Sequence, residues 1–182
     1  MKRLFLLISL TSSFAAYANP SPPLYQVDLI VFAHNDTGAI SEELTAPIFL
    51  EPQQAISLQA YDGNSAPYHL LPSSSSGLRN ELWALNHKGN YQVLGHYSWL
   101  QPAQNQKPII LPRIDRSGWN VEGTLRIRHS HYFLVDSELL FSAPHTRSTS
   151  FVLSQKHKLQ ENKVYYLDHP HAGMLLKIHK VA

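Results

Sequence analysis

The stretch VEGTLRIRHSHYFLVDSELLF, residues 121–141, carries the strongest β-sheet signal in the chain. Its even positions are mostly polar or charged, among them Arg126 and Arg128. Its odd positions are mostly apolar or aromatic: Leu125, Ile127, His129, His131, Phe133, Val135, Leu139 and Phe141. Alternation with a period of two residues is typical of a strand that buries one face. Because 21 residues exceed the usual strand length, we expect a bend or bulge near residues 130–136.

The segments on either side predict further strands and one helix. LYQVDLIVFA, residues 24–33, is mostly apolar on both faces, which favours a central strand. LRNELWALNHKG, residues 78–89, has leucines on one side and ends in glycine, which is the pattern of a helix. Shorter strand patterns follow at residues 90–102, 150–160, 164–168 and 172–181. The predicted fold is α+β, a single domain with an antiparallel or mixed β-sheet covered by one or two helices.

Residues 1–18 have the pattern of a cleaved secretory signal peptide. Lys2 and Arg3 precede an apolar run, and Ala16-Tyr17-Ala18 is an A-x-A cleavage signal. We expect the mature chain, residues 19–182, to be one domain with an irregular connector at about residues 53–77. No later run reaches the roughly 18 apolar residues of a transmembrane helix, so we expect no membrane span after signal cleavage. If the source is a Gram-negative bacterium, the predicted location is the periplasm.

The composition argues against several kinds of partner. The chain has no cysteine, which excludes disulfides, cysteine nucleophiles and a bacterial lipid anchor. The formal net charge of +2 comes from 15 Lys and Arg against 13 Asp and Glu. Removing Lys2 and Arg3 with the signal leaves 13 basic residues against 13 acidic ones. A neutral mature chain lacks the basic excess that nucleic acids and anionic membranes require, so we expect neither as a partner.

The 11 histidines include two His-x-His pairs, His129 with His131 and His169 with His171. This spacing places both rings of a pair on one face of a strand, so the two pairs could supply four nitrogens to Zn²⁺. The alternative is that they are partly buried histidines with backbone or carboxylate partners. Because such pairs arise easily in a histidine-rich chain, we predict no resident metal and no other cofactor.

Catalytic signals are weak in this chain. Asp168 and His169 resemble an acid–base pair, but neighbouring strand residues point to opposite faces, so they form no dyad unless the backbone turns. The motifs G-x-S-x-G, H-E-x-x-H, GxGxxG and the P-loop are absent from the sequence. We therefore predict a protein that is not an enzyme, with a His-ligated zinc hydrolase as an alternative.

Candidate binding residues are aromatic or cationic. Tyr97, Trp99 and Trp119 could stack on sugar rings, although aromatic residues in strands are also common in protein cores. Arg126 and Arg128 lie on the polar face of the long strand and could hold carboxylates through bidentate hydrogen bonds. The alternative for both arginines is a solvated sheet face.

Four segments, taken in order, resemble the CsiV family of periplasmic peptidoglycan-binding proteins: YQVDLIVF, LNHKGNYQVLGHYSWLQP, VEGTLRIRHSHYFLVDSELLF and VYYLDHPHAGMLLKI. The most specific piece is the run Tyr166-Leu167-Asp168-His169-Pro170 with Gly173 after it. The resemblance covers nearly the whole mature chain except residues 34–77. It implies a non-enzymatic protein that binds peptidoglycan and promotes a class A penicillin-binding protein through its outer-membrane lipoprotein activator.

The resemblance also implies a set of binding residues. The expected ligand-binding residues are Tyr97, Trp99, Gln101, Arg126, Arg128, Tyr166, Asp168 and His169. Sugar rings would meet the aromatic residues, and stem-peptide carboxylates would meet Arg126, Arg128, Lys156 and Lys158. The chain departs from the family in KHKLQENKVYY, where lysines and His157 stand in place of arginines and Tyr165 stands in place of a histidine. A protein–protein adaptor without glycan binding is an alternative function.

The run Asp168-His169-Pro170 lies just before the last predicted strand. We expect Asp168 to accept hydrogen bonds from nearby backbone amides and Pro170 to fix the turn into that strand. His169 would then be either part of a binding face or a bracket for the fold.

Overall fold

The computed structural model describes residues 22–35, 49–63, 65–144 and 150–181, so the predicted signal peptide lies outside the described residues. In chain order the strands are Leu24–His34 (β1), Ile56–Ser57 (β2), Tyr91–Pro102 (β3), Ile109–Ile110 (β4), Ile114–Arg116 (β5), Trp119–His129 (β6), Phe133–Ser142 (β7), Ser150–Leu159 (β8), Val164–His169 (β9) and Ala172–Lys180 (β10). The described ranges also contain the α-helix Arg79–His87 (α1) and a 3₁₀ turn, Ser73–Ser75. Across these ranges no helix is long and apolar enough to span a bilayer.

The strands divide into two sheets. Sheet A has the order β3-β1-β10-β9, and sheet B has the order β2-β4-β6-β7-β8 with β5 paired to β6. The pair β2–β4 is parallel, and the other strand pairs are antiparallel. The predicted α+β class with antiparallel or mixed strands is confirmed, and the division into two sheets is the feature that the periodicity did not indicate.

The two sheets pack face to face, and their inner faces form the main core. Val27, Leu29 and Leu176 of sheet A are buried there with Leu125 and Val135 of sheet B. Burying an aliphatic side chain of this size contributes about 1.5–3 kcal/mol. Because the inner faces meet in this core, the outer faces of the two sheets point in opposite directions.

Sheet A is buried on its outer face as well, because helix α1 packs against it. Ile30 and Phe32 of β1 lie there with Leu78, Leu85 and Val93 in a second, smaller core. Strand β1 is therefore apolar at successive positions, as expected for a strand buried on both sides. Strands β6 and β7 alternate instead, because the outer face of sheet B meets solvent.

The strand expected for residues 121–141, with a bend or bulge near residues 130–136, is instead a hairpin, and its turn at residues 130–132 falls within that range. Strand β6 ends at His129 and β7 begins at Phe133, and these two residues pair directly. In the loop between them, Ser130 N donates to Tyr132 O at 3.0 Å. The three-residue loop keeps the odd positions of both strands facing the core and contains no Gly, Pro or Asn. The alternation of apolar and polar residues therefore continues in phase from β6 across the turn into β7.

The expected connector at residues 53–77 is irregular apart from β2 and the 3₁₀ turn. It runs along the edge of sheet A, where Tyr68 N donates to Leu100 O at 2.8 Å and Leu71 N donates to Ser98 O at 2.7 Å. These bonds occupy backbone groups of an edge strand that would otherwise be open to pairing. The last part of the connector and Leu78, together residues 72–78, lead into α1 and are called the strap below.

Candidate functional site

An aromatic corner, formed by Phe32, His34, Tyr91, Tyr166 and Asp168, lies at one end of the outer face of sheet A. The Tyr166 ring stacks on Phe32 with centroids 5.9 Å apart and planes 9° apart. Tyr91 meets Phe32 edge-on, with centroids 5.4 Å apart. Phe32 is buried, whereas Tyr166 is 49% exposed. The corner therefore presents one flat ring face to solvent, and a second ring behind it holds that face in place.

Polar groups meet at the rim of the aromatic corner. The Tyr166 hydroxyl donates to Asp168 Oδ1 at 2.5 Å. His34 Nε2 lies 3.4 Å from that hydroxyl and 3.7 Å from Asp168 Oδ1. His34 Nδ1 donates to the Pro170 carbonyl at 3.1 Å, which orients Nε2 towards the other two groups. The Asp168 side chain is 58% exposed, so its carboxylate can also accept hydrogen bonds from a ligand.

The tyrosine hydroxyl of the corner is a persistent donor. Burial raises the pKa of Tyr166 above its ordinary value, and the hydrogen bond to Asp168 and the charge of Asp168 raise it further. The phenol therefore stays protonated throughout the physiological pH range and keeps donating to the carboxylate. This bond holds the exposed ring and the exposed carboxylate in a fixed relation.

Gly173 allows the rings of the corner to pack closely on the sheet. It pairs with Phe32 on β1 and with Asp168 on β9. A Cβ atom at this position would lie 2.7 Å from Phe32 Cζ and 3.1 Å from Tyr166 Cε2. A glycine within a strand often marks such a close approach. The glycine that follows the Tyr-Leu-Asp-His-Pro run is therefore required by the two rings above it.

The Asp168-His169-Pro170 run ends β9 and begins a tight turn. Pro170 and His171 form the turn and β10 begins at Ala172, so the predicted turn at Pro170 is confirmed. The expectation that Asp168 accepts hydrogen bonds from backbone amides is corrected, because the donor to its carboxylate is the Tyr166 hydroxyl.

His169 points away from the aromatic corner, as the alternation of strand side chains predicts. Its ring is parallel to that of Phe151 at 4.4 Å and lies 5.7 Å from the ring of His171. His171 N donates to His169 Nδ1 at 3.3 Å. Asp168 and His169 thus lie on opposite sides of β9, which makes His169 a bracket between β8 and the turn.

The two His-x-His pairs cannot share one metal ion. His129 packs on Phe133, which pairs with Leu159 of β8, whereas His169 packs on Phe151 of the same strand. Positions 151 and 159 are eight residues apart, about 26 Å along β8 at a rise of about 3.3 Å per residue. Among the described residues, no group of three or more His, Asp or Glu side chains could hold a metal. The distance between the two His-x-His pairs therefore excludes the four-histidine zinc site that the sequence suggested as an alternative.

Most of the aromatic candidates on β3 and β6 are structural. Trp99 is 0% exposed, and its Nε1 donates to Gln101 Oε1 at 3.3 Å. Gln101 is buried in turn and donates to the Ile127 carbonyl of sheet B at 3.3 Å. Trp119 is buried and Tyr97 is partly buried against the main core. The burial of Trp99 and Gln101 between the two sheets argues against their expected contact with a glycan, whereas the partly buried Tyr97 stays a candidate.

The second candidate surface is the outer face of sheet B. The strand register places Arg126, Asp136 and Lys156 side by side on β6, β7 and β8. Arg128 Nη2 donates to Asp136 Oδ2 at 2.8 Å, a diagonal ion pair between neighbouring strands. The structure thus brings together on one face the four cations that were expected to meet carboxylates: Arg126, Arg128, Lys156 and Lys158.

A groove of about 210 Å³ lies in this face and is called the charged groove. Most of its polar lining comes from two neighbouring rows of the sheet, to which Ser137 and Gln155 add: Arg126, Asp136 and Lys156 in one row, and Thr124, Glu138 and Ser154 in the other. Pro52 and Pro108 also line it. The proline side chains give the groove an apolar wall beside its charged floor.

A buried carboxylate, Asp28, lies beneath the strap on sheet A and was not predicted. It is fully buried, and its Oδ1 accepts hydrogen bonds from Ser98 Oγ at 2.6 Å and Gln26 Nε2 at 2.8 Å. Gln26 Nε2 also donates to the Ser75 carbonyl at 2.9 Å. Such bonds offset the cost of burying the charge and tie the strap to the sheet. The position is sealed from solvent, so its role is structural.

His96 makes a second link between sheet A and the strap. Leu78 N donates to Ser76 Oγ at 3.1 Å, and that hydroxyl lies 2.8 Å from His96 Nε2, to which it donates. Burial lowers the pKa of His96, although the nearby charge of Asp28 opposes the shift. The imidazole is therefore neutral at neutral pH and accepts the serine proton.

His34 and Tyr91 are the corner residues that the sequence did not indicate. They lie directly opposite each other on β1 and β3, and their rings meet edge-on at 5.5 Å. No local motif connects the two positions, because only the pairing of β1 with β3 brings them together. The available signal was that each is a polar aromatic residue at the end of a strongly apolar strand.

Comparison with known proteins gives one result for the whole chain. A family model described as "Peptidoglycan-binding protein, CsiV" matches residues 1–181. No curated protein and no solved structure matches the chain. The matched range includes every residue of the aromatic corner and of the charged groove.

Proposed function

The chain belongs to the CsiV family of peptidoglycan-binding proteins, and from that membership we propose that it is a non-enzymatic periplasmic protein that binds peptidoglycan and supports cell wall synthesis. In this proposal it promotes a class A penicillin-binding protein through the lipoprotein activator of that enzyme. The secretory pattern of residues 1–18 supports export. The resemblance of the segments around Tyr166 and Asp168 supports the role in wall synthesis.

The observation that carries the proposal is the exposed Tyr166 ring next to the exposed Asp168 carboxylate. A sugar ring has apolar C–H faces that stack on an aromatic ring, and its hydroxyl and acetamido groups donate to carboxylates. The corner offers both kinds of contact from residues two positions apart on the same face of β9. We therefore assign the glycan strand to the aromatic corner, with His34 as a further polar contact.

The chemistry of the corner favours binding without catalysis. Hydrolysis of a glycosidic bond ordinarily uses two carboxyl groups that flank the bond. The five residues of the corner include a single carboxylate, Asp168, and its Oδ1 already accepts the Tyr166 proton. The arrangement can hold a sugar in place, and it supplies no second acid or base across the ring.

Co-sedimentation with purified sacculi stripped of attached protein tests the proposal. Tyr166→Ala removes the exposed ring, and we expect it to weaken binding more than about tenfold, as for an aromatic hot spot. Tyr166→Phe keeps the ring and loses the hydroxyl, so it should retain most of the binding. Tyr61→Ala is the matched control, because Tyr61 is 51% exposed and lies outside the corner.

Two results would contradict the assignment. One is that the unaltered protein does not pellet with sacculi, which would remove peptidoglycan as the ligand. The other is equal pelleting of Tyr166→Ala and Tyr61→Ala, which would place the glycan elsewhere on the surface. Competition by soluble muropeptides should release the unaltered protein and so exclude trapping in the pellet.

An adaptor function, in which the chain contacts proteins and not glycan, is supported by Trp83. This tryptophan is 64% exposed on helix α1, and its ring stacks on His87 at 4.0 Å. Exposed tryptophans are enriched at protein interfaces. If the adaptor reading is correct, Trp83→Ala should weaken capture of the lipoprotein activator while Tyr166→Ala has no effect on it. If both variants still capture the activator normally, the adaptor function is contradicted.

A further inference from the structure

We propose that the charged groove binds the free end of an uncrosslinked stem peptide and recognises both its amine and its carboxylates. The inference rests on the proposed function, because it names the part of peptidoglycan that a second surface would take. The groove lies on the outer face of sheet B and the aromatic corner on the outer face of sheet A. The two surfaces therefore contact different parts of the polymer.

The charges of the groove are only partly paired within the protein. Arg128 is paired with Asp136 at 2.8 Å. Arg126, Lys156 and Glu138 make no side-chain hydrogen bond or ion pair with another residue in the described part of the chain. The groove thus offers two cations and one carboxylate to a ligand. A molecule with carboxylates and an ammonium group satisfies all three, whereas a neutral sugar satisfies none of the charges.

The spacing of these groups matches a single amino acid with charged groups at both ends. Arg126 and Lys156 flank Asp136 on the two neighbouring strands, so their Cα atoms are about 10 Å apart. Glu138 lies two residues along β7 on the same face, about 7 Å from Asp136. A diamino dicarboxylic acid, the branching residue of many stem peptides, spans this separation.

The size of the groove also favours a peptide end. Its volume of about 210 Å³ lies below the roughly 300–1,000 Å³ of pockets that enclose drug-sized ligands. One amino acid side chain with its terminal carboxylate fits into such a space. The walls from Pro52 and Pro108 can cover the apolar carbons between the charged groups.

The chemistry of crosslinking makes this groove selective. A crosslink is an amide that joins the side-chain amine of one stem to a carbonyl carbon of its neighbour, and it replaces the amide bond to the neighbour's terminal residue, which leaves. The first stem thereby loses the ammonium group that Glu138 would bind, and the neighbour loses the terminal carboxylate that Arg126 and Lys156 would bind. A groove that recognises both groups therefore prefers stems that have not been crosslinked, which are most abundant where new wall is being made.

The test is calorimetric titration of the purified protein with a soluble stem tripeptide that ends in diaminopimelate. The same peptide acetylated on its side-chain amine is the comparison ligand. We expect acetylation to weaken binding at least about tenfold, which corresponds to about 1.4 kcal/mol. Glu138→Gln should abolish the difference between the two peptides, and Arg126→Gln should weaken both. Arg116→Gln is the control, because Arg116 is exposed on β5 outside the groove.

Equal affinity for the free and acetylated peptides would overturn the inference, and so would unchanged binding in Arg126→Gln. Its failure is distinguishable from failure of the proposed function. If sacculi bind through Tyr166 and the tripeptide does not bind, the groove assignment fails and the glycan assignment stands. If sacculi do not bind at all, the proposed function fails. Unchanged thermal unfolding of each variant shows that the fold is intact.

Discussion

The outer face of sheet A and the outer face of sheet B differ in what covers them. On sheet A, helix α1 and the strap bury Ile30, Phe32 and Leu78 completely. On sheet B, no helix of the described chain covers the outer face, and the strands present charged residues there. The comparison shows where side chains are exposed and could contact a ligand. On sheet A this is at Tyr166, beyond the part that α1 and the strap cover, and on sheet B it is the outer face that no helix covers.

The same difference explains why each face has its own chemistry. A covered face selects mostly apolar side chains, and its polar side chains lie either in a buried hydrogen-bonded cluster, as Asp28 does, or at the margin, as His34 and Asp168 do. An uncovered face keeps a polar residue at every second position, so cations and carboxylates from neighbouring strands meet in rows. The aromatic contact proposed for one face and the ionic contact proposed for the other are consistent with this arrangement.

The largest expected effect tests the interior that both faces share. Trp99→Ala should lower the free energy of unfolding by about 3–5 kcal/mol, because a fully buried indole is replaced by a cavity. Trp83→Ala removes the same side chain from the surface and should change it by less than about 0.5 kcal/mol. Urea denaturation measures both values. A Trp99→Ala protein of normal stability that no longer binds sacculi would return Trp99 to the list of ligand residues.

A smaller effect is expected where the cover of sheet A ends. Gly173→Ala places a methyl group 2.7 Å from Phe32 Cζ, so the two rings must shift. Overpacking of this kind costs about 1–3 kcal/mol, and sacculus binding through Tyr166 should weaken with it. Gly89→Ala is the control, because a Cβ atom there meets nothing within 4 Å. Thermal unfolding and co-sedimentation of the two variants make the comparison. Unchanged stability in both would show that the corner is loosely packed.

The smallest effect concerns the buried polar cluster under the strap. Burial lowers the folded-state pKa of His96 below its ordinary 6.5, so the unfolded chain binds more protons just below that pH. The contribution of His96 to stability is therefore complete above pH 6.5 and is lost as the pH falls towards the folded-state pKa. Between about pH 7.5 and about pH 5.5, the unaltered protein should lose more unfolding free energy than His96→Gln. Parallel losses in the two proteins would contradict the shift.

The sequence was sufficient for the helix and most of the long strands, and insufficient for the short strands β2, β4 and β5 and for the site. The residues of β1 and α1 carry local periodicities, so their positions could be predicted within one or two residues. The hairpin at residues 130–132 was missed because its loop kept the alternation in phase. Trp99 was misread because a strand pattern shows that a residue has a face and does not show which face is buried.

The site depends on contacts between distant parts of the chain. Tyr166 and Asp168 could be named from their run, but the neighbours that complete the corner, Phe32 and His34, come from the other end of the sequence. In the charged groove, Arg126 was visible on its strand, whereas its relation to Glu138 and Lys156 required the register of three strands. Such juxtapositions follow from sheet pairing, which a single sequence does not specify.

The most direct test of the two-face account is binding of three variants to two forms of the wall. Tyr166→Ala, Arg126→Gln and the double variant are compared on intact sacculi and on glycan strands from which the stem peptides have been removed. The account predicts that Tyr166→Ala loses binding to bare glycan and weakens binding to intact sacculi, whereas Arg126→Gln weakens binding to intact sacculi and leaves binding to bare glycan unchanged. Normal binding of Tyr166→Ala to bare glycan would contradict it.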